Sequence, residues 1–344
     1  MNVHELPMIL FTVIAQMCVG TFVILGLIQL IASRRHDRQS VERLTEPVVY
    51  AIGPAMVLGL AASTLHMNDI SNTLNVFRNV GSSWLSREIV FGMAFAALGF
   101  GFALMQWFKV STIRIRQLVA AATALVGIAL IWSMSQIYYT LTSVPAWHTP
   151  TVPVHFFATT LLLGALATGC ALMLTAMVRH RRQMGAGPGG PGAGSTPAAD
   201  APALPEGQGR LALAVRTRVA QINAPTSPTE WALTTRTIQW LGVAAAAVGM
   251  LILVSYPLHI SDLVAREATG SAAVFSGTFF LTRLVLLGVS AVVLMLFTYR
   301  AAGQALREHP TVLTSLITAG FVLAFVAELM GRSLHYDSMI RIGI

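Results

Sequence analysis

An imidazole and a carboxylate fall at matching ends of two consecutive apolar segments. His66 closes the second segment and Glu88 opens the third, with residues 67–87 between them. Two antiparallel helices joined by such a loop place both side chains at one depth, near the same end of the bundle. A histidine beside a carboxylate can accept protons near neutral pH, and ionisable groups at membrane depth are candidates for function. The pair suits the oxidation of a quinol, which releases protons together with electrons.

The same two residues also have structural interpretations. Glu88 follows Ser86 at a helix start, where a capping hydroxyl and a negative charge both satisfy exposed amides. In that case His66 simply anchors a helix end. Arg78 and Arg87 are possible supporting residues for a site at this pair.

Three further ionisable residues lie within or near apolar segments. Glu328 and Arg332 are four residues apart, which predicts an ion pair along one helix. Arg283 is predicted to snorkel towards a helix end, with a partner in the protein interior as the alternative.

Haem ligation and transport are competing uses of these polar residues. Two facing imidazoles can ligate a haem iron, and His66, His155, His259 and His335 could supply pairs. All four lie at helix ends rather than within spans, which disfavours haem. A transporter is disfavoured by the scarcity of charged residues at mid-membrane positions.

Composition indicates an integral membrane protein. Of 344 residues, 55% are hydrophobic and 10% are charged, against about 25% charged in an ordinary globular domain. The net charge of +8 comes from basic residues in short loops between apolar runs, which favours a membrane surface over nucleic acid. Cys18 and Cys170 lie far apart in apolar runs, so we expect any metal cluster to belong to another protein subunit.

Eight apolar runs are long enough to cross a bilayer, which needs about 20 residues each. They do not alternate polar and apolar residues as barrel strands do, so the predicted fold is all-α, with eight transmembrane helices in two four-helix halves. The first run is predicted to be a retained helix rather than a signal peptide. The runs lie near 8–32, 48–66, 88–108, 117–138, 154–178, 237–257, 279–299 and 312–331.

Basic residues predict the orientation. Sixteen Lys and Arg residues lie in the segments on one side and five on the other, and the richer side is cytoplasmic by the positive-inside rule. Both termini are therefore predicted to lie outside the cytoplasm.

The sequence divides into three parts on this interpretation. Residues 1–178 hold helices one to five with the outer-face site, and residues 237–344 hold helices six to eight with an outer C-terminal tail. Between them, residues 179–236 include a run of Gly and Pro from Gly185 to Gly194, which predicts a flexible cytoplasmic linker.

Three stretches resemble the membrane-anchor subunits of dimethyl sulfoxide reductases. They are His4-Glu5-Leu6-Pro7-Met8-Ile9-Leu10-Phe11-Thr12, Leu65-His66 leading to Ser83-Trp84-Leu85-Ser86-Arg87-Glu88-Ile89, and Gly331-Arg332-Ser333-Leu334-His335-Tyr336. The resemblance extends from one end of the sequence to the other, and its most specific part joins the histidine to the Ser-Trp-Leu-Ser-Arg-Glu sequence.

The resemblance implies an anchor without haem or an iron–sulfur cluster of its own. Such an anchor holds a molybdopterin catalytic subunit and an iron–sulfur electron-transfer subunit on the outer face of the bacterial cytoplasmic membrane. It oxidises menaquinol and passes electrons to the iron–sulfur partner, and His66 and Glu88 match the family's quinol-site residues.

The sequence departs from the family pattern in two places. Met67 to Thr73 replace a loop that usually carries an arginine, for which Arg78 is a possible substitute, and His335 stands where Phe is usual. The alternatives are a polysulfide-reductase-type quinol subunit and a purely structural tether. The terminal electron acceptor is left open.

Overall fold

The computed structural model describes residues 5–64, 76–185, 210–304 and 310–341. These residues form helices and connecting turns, with no strand among them. Eight of the helical segments are long and apolar enough to cross a membrane, which confirms the predicted all-α fold with eight spans.

The first four spans are four long, separate helices. The fifth is followed by a shorter helix, α6, before the sixth span begins. The helices in this part of the protein are α1 (Leu6–Ala32), α2 (Arg38–Thr64), α3 (Trp84–Phe108), α4 (Ile113–Tyr139), α5 (Thr151–Gly185), α6 (Arg210–Asn223) and α7 (Pro228–Ala265).

The remaining spans are less regular. A short helix precedes the seventh span, which is built from two α-helices joined by a π-helical segment, Gly288–Leu294. A π turn holds more residues than an α turn. The helices are α8 (Thr269–Ala273), α9 (Thr278–Leu287), α10 (Met295–Gln304) and α11 (Pro310–Asp337).

Alternate helices run in opposite directions and define two ends of the bundle. We call the end where α1, α3, α5 and α9 begin the N-terminal face. The other end, where α5 stops and α6 lies, is the linker face.

Several helices begin before the apolar runs that predicted them. The sixth span was expected near 237, but α7 begins at Pro228 because Ser227 and Glu230 form a capping box. The Ser227 amide donates to Glu230 Oε2 at 2.8 Å, and the Glu230 amide donates to Ser227 Oγ at 3.2 Å. Hydropathy marks the part of a helix inside hydrocarbon, whereas caps decide where the helix starts.

The predicted linker 179–236 contains more helix than its Gly and Pro residues indicate. Helix α5 continues to Gly185, α6 occupies Arg210–Asn223, and α7 begins at Pro228. The central Gly/Pro run from residue 186 onwards lies outside the described residues.

Helix α1 packs at the centre of the bundle, against α2, α4, α5 and α11. Its closest approach is to α5, where glycines face each other: a Cβ atom added to Gly164 would lie 2.6 Å from the Cα atom of Gly20. Small residues let two backbones pack tightly where lipid supplies no hydrophobic drive. This contact aligns α1 and α5 and hence the polar residues they carry.

Candidate functional site

Glu88 lies in the second turn of α3, and it is not the cap of that helix. The cap is Ser83, whose hydroxyl accepts from the Ser86 amide at 3.3 Å, and the first turn contains no acidic residue. The capping interpretation of Glu88 is therefore wrong. Its side chain is half-buried and needs another explanation.

The Arg87 side chain is turned away from Glu88 and hydrogen-bonds to the loop before α3. Its Nε atom donates to the carbonyl of Val80 at 2.8 Å and its Nη2 atom to that of Gly81 at 2.7 Å. The guanidinium carbon lies 4.2 Å from the centre of the Trp84 ring. Arg87 thus fixes the approach of the backbone to α3. Arg78 is exposed in a single turn of 3₁₀ helix.

Among the residues that the structure describes, Arg332 of α11 is a basic group close enough to Glu88 to interact with it electrostatically. Arg332 is 6% exposed. Its Nη2 atom donates to Gln16 Oε1 at 3.0 Å, and its guanidinium lies 3.8 Å from the centre of the Phe156 ring. Gln16 in turn donates to the Phe156 carbonyl at 2.9 Å. Arg332 is therefore held firmly between α1, α5 and α11.

An aromatic group connects α4, the following loop and α11 beside this arginine. The hydroxyls of Tyr138 and Tyr336 lie 2.8 Å apart, and both groups are near enough to Glu88 to interact with its charge. Trp147 donates through Nε1 to the His335 carbonyl at 2.7 Å and stacks on the His335 ring with centroids 5.2 Å apart. Trp147 and Tyr138 are buried, so they form a packed wall here.

Two histidines of α5 and α7 face each other across a small cavity. His155 Nε2 lies 2.5 Å from Ser255 Oγ, and His259 Nδ1 lies 2.9 Å from Thr151 Oγ1. The cavity beside them has a volume of about 40 Å³, which is room for water but not for a porphyrin. Both imidazoles are thus hydrogen-bonded to hydroxyls. Among the described residues there is no group of three metal-ligating side chains.

Arg283 and Glu328 form a buried ion pair between α9 and α11, with Arg283 Nη2 and Glu328 Oε1 3.4 Å apart. Glu328 also accepts from Thr159 Oγ1 at 2.6 Å. The predicted Glu328–Arg332 pair is therefore wrong, because Arg332 donates its hydrogen bond to Gln16 instead. The expectation that Arg283 snorkels is also wrong, because an interior partner 45 positions away holds it.

Several buried polar atoms around this cluster have no hydrogen-bond partner among the described residues. They are Gln136 Nε2, Arg283 Nη1, Arg332 Nε and His335 Nε2. Buried polar atoms are nearly always paired with protein, water or ligand. The N-terminal face thus offers unused hydrogen-bonding groups within the bundle.

An apolar cleft of about 570 Å³ lies between α2 and α3. Its lining reaches Leu60 near the end of α2 and Phe95, two turns beyond Glu88 along α3. Towards the linker face it extends to Tyr50 and Trp107, whose rings pack edge to face. A cleft of this size and polarity is suited to a long hydrocarbon tail.

The sequence singled out Glu88 as a candidate but not the residues that surround it. His66, the predicted partner, lies outside the described residues, as does most of the loop between α2 and α3. Arg332, Tyr336 and Gln16 come from the two ends of the protein, and no spacing in the sequence indicates that they meet. The signal that was available is the Gly-Arg-Ser-Leu-His-Tyr stretch at the end of α11.

Eight membrane-spanning helices with ionisable groups gathered inside one face define a polytopic membrane protein with a buried polar site. The model of the DMSO reductase anchor subunit (DmsC) family matches residues 1–184, more than half of the protein. The protein belongs to this family, as its sequence indicated.

Curated relatives carry the same description. The C subunit of the anaerobic dimethyl sulfoxide reductase of Escherichia coli is 32% identical over 164 residues, which are 47% of this protein and 56% of that one. The corresponding C subunit of Haemophilus influenzae is 28% identical over 173 residues, 50% and 60% of the two proteins. The YnfH subunit of an anaerobic dimethyl sulfoxide reductase of E. coli is 29% identical over 174 residues, 49% and 58%. The matched part therefore spans less than two thirds of each of these relatives.

Proposed function

We propose that this protein is the quinol-oxidising membrane anchor of a reductase complex of the dimethyl sulfoxide reductase type. In this proposal it lies in the bacterial cytoplasmic membrane with its N-terminal face outward. There it holds an iron–sulfur subunit and, through it, a molybdopterin catalytic subunit. Family membership and the descriptions of the relatives support this role, and the excess of basic residues at the linker face supports the orientation.

The observation that carries the proposal is the position of Glu88. Its carboxylate is half-buried at membrane depth, it does not cap α3, and it lies within electrostatic reach of the buried Arg332. Charged groups at such depth are costly and are retained where they do chemistry. A carboxylate with a fixed cation nearby can take up and release a proton while the site stays close to neutral.

The chemistry divides between this protein and its partner. Oxidation of menaquinol breaks its two O–H bonds, and the electrons pass to the partner's iron–sulfur centre. Glu88 and His66 accept the protons and release them at the outer face, as general bases positioned within hydrogen-bond reach of the hydroxyls. Arg332 Nε and His335 Nε2, which have no hydrogen-bond partner among the described residues, are proposed to bond the head-group oxygens.

The cleft between α2 and α3 supports the choice of an isoprenoid quinol. Its lining begins two turns of α3 below Glu88 and consists mainly of apolar side chains. A head group at Glu88 would leave its tail in this cleft, in contact with the surrounding lipid.

Binding of a fluorescent quinol-site inhibitor to membranes that hold the assembled complex tests the proposal. We expect His66→Ala and Glu88→Gln to abolish binding while the complex stays assembled. Asp262→Asn is the matched control, since Asp262 is a partly exposed carboxylate at the same face, paired with Arg266 at 3.0 Å. Unchanged binding in the Glu88 and His66 variants would move the site elsewhere, and no binding in the wild type would favour a structural tether.

A further inference from the structure

A second large cavity opens at the other end of the bundle, at the linker face. It has a volume of about 560 Å³ and lies between α1, α2, α3 and α4. Its inner part is lined by apolar and small side chains such as Phe22, Val49 and Ala124, and its outer end by polar ones such as Arg38, Gln106 and Arg116. It is therefore amphipathic, with a polar end and an apolar end.

The cavity exists because α1 and α4 diverge. They touch near mid-membrane, where a Cβ atom on Gly127 would lie 3.0 Å from Val19 Cγ1. Nearer the linker face, a Cβ atom on Gly26 would meet nothing within 4 Å. Gly26 and Ala121 are exposed, so the cavity opens sideways to the bilayer. From Phe22 to the end of α1 it runs about 15 Å, at the rise of an α-helix.

A buried arginine lies at the polar end. Arg116 is 9% exposed, and its Nη1 atom donates to Gln106 Oε1 at 2.7 Å. Its Nε atom is buried and has no partner among the described residues. An arginine with an unused donor that lines a cavity is suited to an anionic oxygen ligand such as phosphate.

Cations outnumber carboxylates around this end. Glu42 pairs with Arg38 at 3.0 Å and with Lys109 at 2.7 Å. Glu46 pairs with Arg218 at 2.5 Å and also with Lys109. Of the residues that line the cavity itself, Arg38 and Arg116 are basic and Glu42 is acidic, so one positive charge is left uncompensated there. An uncharged head group would leave that excess unbalanced.

We infer that this cavity binds an anionic phospholipid, with its phosphate at Arg116 and one acyl tail between α1 and α4. Basic pockets between transmembrane helices are suited to anionic lipid head groups, and the volume lies within the range of ligand sites. The lipid fills the gap between the diverging helices and neutralises the charge excess. The inference does not rest on the proposed quinol site at Glu88, because no residue of that site lines this cavity.

Native mass spectrometry of the detergent-solubilised full-length protein tests it, with dioleoyl phosphatidylglycerol and dioleoyl phosphatidylethanolamine as probes. These lipids share acyl tails and differ in net charge. We expect the wild type to bind phosphatidylglycerol several-fold more tightly. Arg116→Gln should weaken that binding about tenfold, as expected for a lost hydrogen bond to a charged group, and remove the preference.

Two further variants separate the parts of the site. Ala121→Phe fills the apolar opening and should weaken the binding of both lipids. Arg300→Gln is the matched control, because Arg300 is exposed at the same face on α10 and does not line the cavity. Should Arg116→Gln prove poorly folded by its thermal transition, Arg38→Gln removes another lining cation with a more exposed side chain and should reduce the preference.

Three results would overturn the inference. They are equal affinity for the two lipids in the wild type, an equal loss of phosphatidylglycerol binding in Arg300→Gln, or displacement of the lipid by a quinone in a manner that depends on Arg116. The last result would assign the cavity to a quinone instead. None of these results bears on inhibitor binding at Glu88, so the two proposals fail separately.

Discussion

The guanidinium of Arg283 lies 3.4 Å from the carboxylate of Glu328, and their side chains are only 3% and 4% exposed. Removing one member of a buried pair leaves a charge without compensation, which costs about 3–5 kcal/mol. We expect Arg283→Ala to lower the thermal transition of the solubilised protein clearly, and Arg300→Ala on the exposed face of α10 to leave it unchanged. A transition in Arg283→Ala equal to that of the wild type would contradict the pair's structural role.

Gly331 gives the Arg283 side chain room to reach across α11. A Cβ atom at Gly331 would lie 2.5 Å from Arg283 Nη2, so Gly331→Ala should displace the guanidinium and lower stability by about 1–3 kcal/mol. In the Arg283→Ala background, Gly331→Ala should cost little stability, because the guanidinium that the new Cβ atom would meet is absent. A double-mutant cycle on thermal stability measures this coupling, and additive effects would refute it.

The contact of α1 with α5 at Gly20 and Gly164 should tolerate no side chain. Gly164→Leu would push the two backbones apart, and we expect a loss of stability larger than the roughly 1–3 kcal/mol typical of overpacking. Gly101→Leu is the matched control, since a Cβ atom there meets nothing within 4 Å. Thermal unfolding in detergent compares the two, and equal transitions would show that the close packing is dispensable.

Glu88→Gln should separate quinol chemistry from terminal reduction. It keeps the shape of the side chain and removes its proton affinity, so quinol-linked reduction by the complex should fall about 100-fold or more. Reduction driven by an artificial donor to the partner subunits should be unaffected. Equal losses of both activities in an assembled complex would speak against Glu88 as a proton acceptor.

Arg218 should hold α6 against the linker face. Its Nη2 atom donates to Glu46 at 2.5 Å, and Arg179 donates to the Ile222 carbonyl at 2.8 Å. Arg218→Ala should therefore speed amide hydrogen exchange in residues 210–223. Arg216→Ala on the exposed side of the same helix should not, and similar exchange in the two variants would deny Arg218 this role.

The sequence predicted what depends on local composition. Each span produces an apolar run, because residues facing lipid must be apolar, so all eight were found. Helix α6 was missed, since only one side of it contacts the protein and Gly/Pro residues precede it. The start of α3 was misjudged by a few residues because Ser83 and Ser86 are both plausible caps and only the structure distinguishes them.

What depends on contacts between distant residues was not predictable. Arg332 has Glu328 one turn away, yet it bonds to Gln16, which is 316 positions distant. Glu328 and Arg332 have the spacing of a helical ion pair, but the packing of α1 against α11 gives Arg332 another partner, Gln16. Arg283 was likewise placed at a helix end by its position in the sequence, whereas the bundle surrounds it.

The π-helical segment Gly288–Leu294 determines which way side chains point on either side of it in the seventh span. Upstream of it Arg283 points at Glu328, and downstream Met295 packs against Gly242 and Gly320. A uniform α-helix would rotate one of these two ends away from its neighbours. The two halves of the seventh span, α9 and α10, can therefore be rotated about the helix axis independently of each other. Deletion of a single residue in the π-helical segment would rotate one half, so that the Arg283–Glu328 ion pair and the packing of Met295 could no longer form together.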